Sequence, residues 1–355
     1  MSHQRVAITA ADGESFSAYL ALPESGMGPA ILLIQEIFGV NPHIRKVADY
    51  YAQEGYVVLA PDLFFRMWPN VELGYSGSDM ETAMSYKNKF DEEQGIRDLV
   101  SAVEYLRTLP HVTGGVAAIG YCLGGRMAFR LSAHTKLEAA VSYYGADIDK
   151  HLDEADKITA PIIFHLGAED QLIPPSSMEK LMLEMVNHHN ARVFVYENTG
   201  HGFNCEARAS YNQRAALLSQ ARTIEFLRAC IGPSVNAEEL FDHHLFTALN
   251  QKDLDETMET LCEDAVITFV PTRTCGHGVN ELKRFYKDFF KALSGDAQLT
   301  AISRTVNANR VVDELVLSFT HDRPMEFILP RVAPTQKKVA IPLVMLATFR
   351  LDKLS

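Results

Sequence analysis

Short apolar runs alternate with longer amphipathic stretches over the first two-thirds of the chain. Runs such as AILLI and PIIFHLG are almost entirely apolar, which is typical of parallel strands buried on both faces. Between such runs the apolar residues recur at helical spacing, so the pattern predicts a mainly parallel α/β sheet flanked by helices. The predicted strands span residues 4–9, 16–22, 30–34, 56–60, 116–119, 139–143, 162–166 and 193–196.

Capping residues mark the ends of the predicted helices. Asn41 followed by Pro42 is typical of an N-cap and a first-turn proline. Gly55 is typical of the position just after the end of a helix. These signals predict one helix between strands 30–34 and 56–60. Further helices are predicted at residues 91–109, 123–133, 176–188 and 208–230.

The pattern changes at IGPSVNAEE, in which Gly, Pro, Ser and Asn follow one another closely. We interpret residues 231–236 as a linker between a first domain at residues 1–230 and a second at residues 237–355. In the second domain helices come first and strands afterwards, which favours a small α+β module with a curved antiparallel sheet. Its predicted helices span 237–250, 254–262 and 278–292, and its predicted strands 265–271, 299–306, 314–320, 325–329 and 338–349.

The composition argues against several function classes. The net charge is −12, and neither domain has the basic excess that binding to nucleic acid or an anionic membrane requires. The N-terminal segment lacks the features of a signal peptide, and we expect a cytoplasmic protein. The five cysteines are odd in number and include no CxxC pair, which argues against a disulfide framework. A functional cysteine is therefore expected to be a free thiol.

The stretch GYCLGG, residues 120–125, lies between a predicted strand and a predicted helix. A nucleophile exposed at a strand end needs a very sharp turn, and glycines flank it in the G-x-nucleophile-x-G elbow. The positive N-terminal end of the following helix would also favour the thiolate of Cys122. Cys122 is therefore a candidate nucleophile, and the alternative is a small buried thiol beside a tight turn.

Acyl transfer by a thiolate also needs a base that activates water and a group that orients this base. In α/β-hydrolases the chain order is nucleophile, acid, histidine, with the last two on loops after later strands. Asp170 follows the run PIIFHLG, and His201 lies in the glycine-flanked turn TGHGF after the next strand. These residues are the predicted acid and base. The alternatives are a turn-forming aspartate and a polar residue in a glycine turn.

Four segments together resemble the dienelactone hydrolase family of α/β-hydrolases, namely QEIFGVNPHIR, GYCLGG, GAEDQLIPP and GHGF. The resemblance covers residues 5–230. It implies the α/β-hydrolase fold and a catalytic triad of Cys122, Asp170 and His201.

The resemblance also maps an additional glutamate of the family onto Glu36. This residue is expected beside Cys122, where it would hydrogen-bond the thiol at rest and accept its proton when substrate enters. The alternative is a strand-end glutamate that faces solvent. The resemblance further implies an oxyanion hole formed by the backbone N–H groups of Ile37 and Leu123.

We therefore expect a hydrolase of small activated esters or lactones of the dienelactone type. The Cys122 thiolate would attack the carbonyl, an enolate would leave, and His201 would activate water to hydrolyse the thioester. Because an enolate is a good leaving group, cysteine suffices in place of serine. A broader carboxylesterase is the alternative enzyme. Neither a cofactor nor a metal is predicted, since Cys275 and His277 have no evident complement of further ligands.

The residues that would bind substrate depart from the family prototype. One of its carboxylate-binding arginines lies four positions after the histidine, where this chain has Cys205. The other belongs to a segment that reads SGSDMETAMSY here, without an arginine. Tyr86 is matched to an active-site tyrosine of the family, and Arg66 and Arg208 are the substitutes that the sequence offers.

The C-terminal stretches LDETMETLCEDAVITFVP and GVNELKRFYKDFF are similar to SnoaL-like members of the nuclear transport factor 2 superfamily. The similarity implies a cone-shaped fold that serves as a binding cup, a surface for homodimer formation or an isomerase-like enzyme. Relatives usually continue beyond ATFRLDKLS into another strand, so an unpaired last edge is expected. Two rival functions follow: a ligand-binding protein with a residual hydrolase half, and an isomerase that uses Asp264, His277 or His321.

Overall fold

The chain divides into two compact units, Met1–Pro233 and Ser234–Ser355. The computed structural model describes residues 2–355. The first unit is an α/β-hydrolase fold and the second an α+β module with antiparallel strands. Each is described by itself below.

An eight-stranded sheet in the order β1-β2-β4-β3-β5-β6-β7-β8 forms the centre of the first unit. The first three strands in this order pair antiparallel and the remaining pairs are parallel, which confirms the predicted mainly parallel sheet. The strands are β1 Ser2–Thr9, β2 Ser15–Leu22, β3 Gly28–Ile34, β4 Val57–Pro61, β5 Val112–Tyr121, β6 Ala139–Tyr143, β7 Ile162–Gly167 and β8 Ala191–Tyr196.

Both faces of this sheet are covered, which explains the unbroken apolar runs in its central strands. Every residue of β3 is buried, and successive residues enter different hydrophobic clusters, Ile31 and Leu33 one cluster and Leu32 and Ile34 the other. Because β3, β5, β6, β7 and β8 are parallel, their carboxyl ends meet at one edge of the sheet. Ligand sites in open α/β sheets form at this edge.

Five α-helices lie between the strands of the first unit, and a sixth follows its last strand. Asn41 caps the first of them by accepting a hydrogen bond from the N–H of Ile44, and Gly55 follows its end with φ 95°, as predicted. The helices are α1 Pro42–Gln53, α2 Ser78–Lys89, α3 Glu92–Thr108, α4 Leu123–His134, α5 Pro175–Met185 and α6 Gln213–Ile231.

Two of these helices differ from the prediction. Helix α2 was not predicted, because Ala83 is its one buried residue and the apolar periodicity is therefore weak. Helix α6 begins at Gln213 and not at residue 208, because Asn212 caps it by accepting from the N–H of Ala215. The segment before Asn212 forms turns that carry Arg208.

The second unit contains helices at its start and an antiparallel sheet in the order β11-β12-β13-β14, with a separate hairpin of β9 and β10. Leu282 and Val311 lie at the centre of its core. The elements are α7 Ala237–Leu245 followed by a π-helical turn Phe246–Gln251, α8 Leu254–Glu259, β9 Val266–Phe269, β10 Thr274–His277, α9 Gly278–Ala292, β11 Gln298–Asn307, β12 Arg310–Thr320, β13 Lys338–Arg350 and β14 Lys353–Leu354.

Three features of this unit correct the sequence analysis. The strand predicted at 325–329 is wrong, because this segment turns back on itself with N–H groups of Ile328 and Leu329 bonded to the carbonyl of Met325. Strands β10 and β14 were not predicted. The end of β13 is paired with β14, through Phe349 opposite Leu354, so the edge is not unpaired there.

A cavity of about 650 Å³ opens in the second unit beside α9. Phe285, Phe289 and Phe327 contribute its aromatic lining, and Arg284 and Glu326 contribute charges. This cavity gives the unit room for a small ligand.

No helix within residues 2–355 is long and apolar enough to cross a membrane.

Candidate active site

Cys122 sits at the corner between β5 and α4 in a strained conformation, with φ 57° and ψ −116°. The corner is so tight that glycine is required around it. A Cβ at Gly120 would lie 1.8 Å from the carbonyl oxygen of Gly124, and a Cβ at Gly124 would lie 2.3 Å from that of Ile34. The GYCLGG pattern is thus explained by close backbone contacts at the end of the central strands.

Asp170 and His201 lie on loops after β7 and β8, at the same edge of the sheet. The Nδ1 atom of His201 lies 2.8 Å from Oδ2 of Asp170, and the other carboxylate oxygen accepts a hydrogen bond from the N–H of Leu172. Both side chains are nearly buried, the carboxylate completely. A carboxylate fixed in this way orients the imidazole and stabilises its protonated form.

The second ring nitrogen of His201 faces the sulfur. This Nε2 atom is buried and makes no hydrogen bond of good geometry to any residue in 2–355. Burial alone would lower the pKa of His201, but the Cys122 sulfur and the Asp170 carboxylate outweigh burial and raise it to about 10. Cys122 and Asp170 both therefore favour the protonated form of the His201 imidazole.

Glu36 is fully buried after β3, but its carboxylate does not bind the thiol. The hydroxyl of Tyr75 donates to Oε2 across 3.0 Å, and Arg208 donates to Oε1 across 3.2 Å. The expected resting hydrogen bond between Glu36 and Cys122 is therefore not formed, because both carboxylate oxygens have these stronger partners.

Arg208 lies inside the site, whereas Arg66 does not. The Arg208 guanidinium stacks 5.7 Å from the Tyr75 ring centroid and fits against Gly202, where a Cβ would lie 2.4 Å from Nη1. Arg66 is held elsewhere by two carboxylates, Asp98 at 2.7 Å and Asp12 at 2.8 Å. Arg66, one of the two substitutes that the sequence offered for substrate binding, is thus held by these two ion pairs and not by Glu36.

Tyr86, the third predicted substrate-binding residue, lies on α2. Its ring is half-buried and packs edge-on against Phe64, with centroids 6.0 Å apart. Within the described part of the chain, Tyr86 forms no hydrogen bond and no stacking or cation–π contact with Glu36, Cys122 or Arg208.

The two backbone groups predicted for an oxyanion hole are available. Leu123 is the first residue of α4, so its N–H has no partner within the helix. Ile37 follows Glu36 directly, and within residues 2–355 neither N–H donates to another backbone carbonyl. Both groups are thus free to donate to a bound oxygen atom.

Sequence reasoning missed two tyrosines of the site. Tyr144 follows β6 with φ 38°, and its ring packs edge-on against His201 with centroids 5.1 Å apart. Its buried hydroxyl has no hydrogen-bond partner among residues 2–355. Tyr144 directly follows β6, which is adjacent to β5, and this position could have indicated that Tyr144 belongs to the site. Tyr75 lies in an irregular loop, where the pattern gave no signal.

The polar residues considered for an isomerase in the second unit do not converge. Asp264 forms an ion pair with Arg350 at 2.9 Å, His277 is exposed, and His321 is buried near Thr335. None of the three lines the cavity beside α9. The isomerase rival therefore lacks a constellation of catalytic groups at the places where the sequence suggested one.

Comparisons with known proteins match both units. The family model of the dienelactone hydrolase family matches residues 16–231, and that of the SnoaL-like domain matches residues 243–355. Carboxymethylenebutenolidase 1 of Cupriavidus pinatubonensis is 35% identical over 230 residues, which cover 64% of this chain and 98% of that protein. Carboxymethylenebutenolidase of Pseudomonas putida is 33% identical over 229 residues, which cover 64% and 97%.

A solved structure shows the same fold in three dimensions. The dienelactone hydrolase-like promiscuous phosphotriesterase P91 from metagenomic libraries superposes with a TM-score of 0.56 at 23% identity, covering 65% of this chain and all of that one (100%). The fold, the matched family model and the similar proteins agree, and the chain therefore belongs to the dienelactone hydrolase family of carboxylic ester hydrolases.

Proposed function

We propose that this protein hydrolyses small enol esters and lactones of the dienelactone type through a thioester on Cys122. The observation that carries the proposal is the alignment of the Asp170 carboxylate, the His201 imidazole and the Cys122 corner at one edge of the sheet. The carboxymethylenebutenolidases to which the chain is similar support the lactone as the substrate class.

The first half of the reaction opens the lactone. The Cys122 thiolate attacks the carbonyl carbon, and the N–H groups of Ile37 and Leu123 stabilise the negative oxygen of the tetrahedral intermediate. When the C–O bond breaks, the thioester forms and the enolate oxygen takes the proton of the His201 imidazolium. The loss of the thiolate charge removes the main interaction that holds this proton on the ring.

The second half releases the acid. His201 is now neutral and oriented by Asp170, so its Nε2 removes a proton from water as the water attacks the thioester. The C–S bond breaks, and the imidazolium and thiolate are restored. The first leaving group must be an enolate because an alkoxide leaves less readily than a thiolate. With an alkoxide, the tetrahedral intermediate would expel the thiolate and return to the ester.

Arg208 gives the site a place for an anionic group on the substrate. Its guanidinium already binds the Glu36 carboxylate and is partly exposed, so a carboxylate beside the lactone ring would exchange with Glu36. Glu36 thus keeps Arg208 in place until the substrate binds. The proposed mechanism needs no base at Glu36, because the proton of Cys122 already lies on His201.

Kinetics with paired substrates and variants test the proposal. The protein is assayed on a dienelactone and on a nitrophenyl acetate, together with Cys122→Ala, Asp170→Asn and the control Cys275→Ala. We expect dienelactone hydrolysis to fall by about 10³-fold or more in the first two variants, because triad members act as a unit. Activity confined to nitrophenyl esters would favour the broader carboxylesterase, and full activity of Cys122→Ala would overturn the thioester.

A further inference from the structure

A second group of metal-binding side chains lies next to the catalytic residues. Glu36, His43 and Cys205 each offer one ligand atom, and these atoms lie within 4.8 Å of one another. They come from three different elements, the end of β3, the first turn of α1 and the turn after His201. Neither His43 nor Cys205 has a role in the hydrolysis proposed above.

We propose that Glu36, His43 and Cys205 form a site for a zinc-class divalent cation, and that its occupation reversibly inhibits the hydrolase. One thiolate, one imidazole and one carboxylate are a ligand set that Zn²⁺ accepts readily. Zinc bonds of about 2.0 to 2.3 Å place tetrahedral ligand atoms roughly 3.3 to 3.8 Å apart, so small side-chain rotations bring these atoms to binding distance.

One ring nitrogen of His43 has no hydrogen-bond partner among the described residues. This atom, Nε2, is also buried. A buried polar nitrogen without a partner costs free energy, which a metal bond would recover.

Cys205 is a fully buried thiol whose sulfur lies within 4.8 Å of a carboxylate oxygen of Glu36. The thiol must lose its proton to bind a metal ion. Binding of the cation releases this proton to solvent as the metal–sulfur bond forms. The positive charge of the ion then takes the place of the thiol proton beside Glu36.

Arg208 and Tyr75 hold Glu36 when the cation is absent. Both bonds to Glu36 are single hydrogen bonds, and the Arg208 side chain retains 17% of its exposure, so the guanidinium has a way out to solvent. A divalent cation would replace Arg208 as the counter-charge of Glu36. Because Glu36 and Arg208 belong to the proposed mechanism, the inhibition rests on the proposed function, whereas the binding does not.

Calorimetric titration with ZnCl₂ measures metal binding separately from inhibition. It is performed on Cys122→Ser, in which the catalytic sulfur can no longer bind metal. We expect one site per chain, and a loss of affinity of at least about 100-fold when Cys205→Ser or His43→Leu is added, since even outer-sphere partners of metal ligands contribute about 10- to 100-fold. The control His188→Asn disrupts another His-carboxylate group, with Asp156 and Glu184, and is expected to change nothing.

The second part of the test measures inhibition of hydrolysis by Zn²⁺ in the protein that retains Cys122. We expect micromolar-range or tighter inhibition by Zn²⁺ to weaken at least about 100-fold in Cys205→Ser, with hydrolysis in the presence of a chelator retained. Absence of binding to Cys122→Ser, or binding unchanged by both Cys205→Ser and His43→Leu, would overturn the site. Zinc binding with no effect on hydrolysis would instead count against the role of Glu36 and leave the metal site standing.

Discussion

Glu36 and Arg208 form an ion pair across 3.2 Å, although 172 positions separate them in the chain. The turn between His201 and α6 brings the guanidinium to the carboxylate, and Gly202 leaves the space that it needs. The family resemblance points to an arginine at position 205, where this chain has a cysteine. This chain has an arginine three residues later, at position 208, and its guanidinium lies at Glu36.

Substitution of Arg208 tests whether this charge binds the substrate. For Arg208→Gln we expect kcat/KM on a lactone with a carboxylate to fall about 10- to 100-fold, since hydrogen bonds to charged groups contribute about 1.5 to 3 kcal/mol. A neutral nitrophenyl ester should lose much less. Arg66→Gln is the matched control, because its guanidinium is bound by Asp98 and Asp12. Equal losses on both substrates would speak against a substrate role.

Acid should destabilise the first unit through His165. This residue is fully buried in β7, where Tyr196 and Thr223 lie at 2.8 and 3.0 Å from its two ring nitrogens. Burial, with the nearby charge of Arg222, lowers the pKa of His165 to about 3. Since the unfolded value is about 6.5, the unfolded chain binds more protons below this pH, and stability falls as the pH drops toward 3.

Urea unfolding followed by circular dichroism measures this effect. Between pH 7 and pH 4.5 we expect the free energy of unfolding to fall by about 2 to 3 kcal/mol more in the natural protein than in His165→Gln, which has no titrating ring. The same loss in both proteins would show that His165 does not link folding to protonation.

Deletion of residues 236–355 tests the independence of the hydrolase unit. The residues proposed for catalysis lie in the unit Met1–Pro233, which has its own sheet and core. We expect kcat/KM on a dienelactone to stay within about threefold of the full chain, because a domain with its own core folds alone. Assembly, followed by light scattering, is expected to change. A clean loss of turnover in a well-folded fragment would contradict this view.

Most of the first unit follows from local sequence signals. Its central strands β3, β4, β6 and β7 are short runs between turn residues, and burial on both faces keeps those runs mostly apolar. The elbow at Cys122 and the loop positions of Asp170 and His201 were also predictable, because chain order and glycine spacing fix them. Helix α2 was not, since it packs through one alanine and has little amphipathic character.

The parts of the site that sequence could not provide depend on long-range contacts. Tyr75 reaches Glu36 from a loop 39 positions later, and nothing in its neighbourhood indicates this. Arg66 and Arg208 are equally plausible in sequence, and only the positions of Asp12 and Asp98 decide between them. In the second unit the segment after Pro324 is apolar enough for a strand. It forms a turn instead, in which the N–H groups of Ile328 and Leu329 donate to the carbonyl of Met325.

The most direct test of the central claim is labelling with a limiting amount of iodoacetamide at pH 7, followed by peptide mapping. Cys122 is nearly buried, whereas Cys275 is exposed, so accessibility alone would favour Cys275. A thiolate paired with the His201 imidazolium reacts faster than an ordinary thiol. We therefore predict that Cys122 is alkylated first among the five cysteines and that activity is lost in proportion. Preferential labelling of Cys275 or another cysteine, with Cys122 intact and activity retained, would contradict the claim.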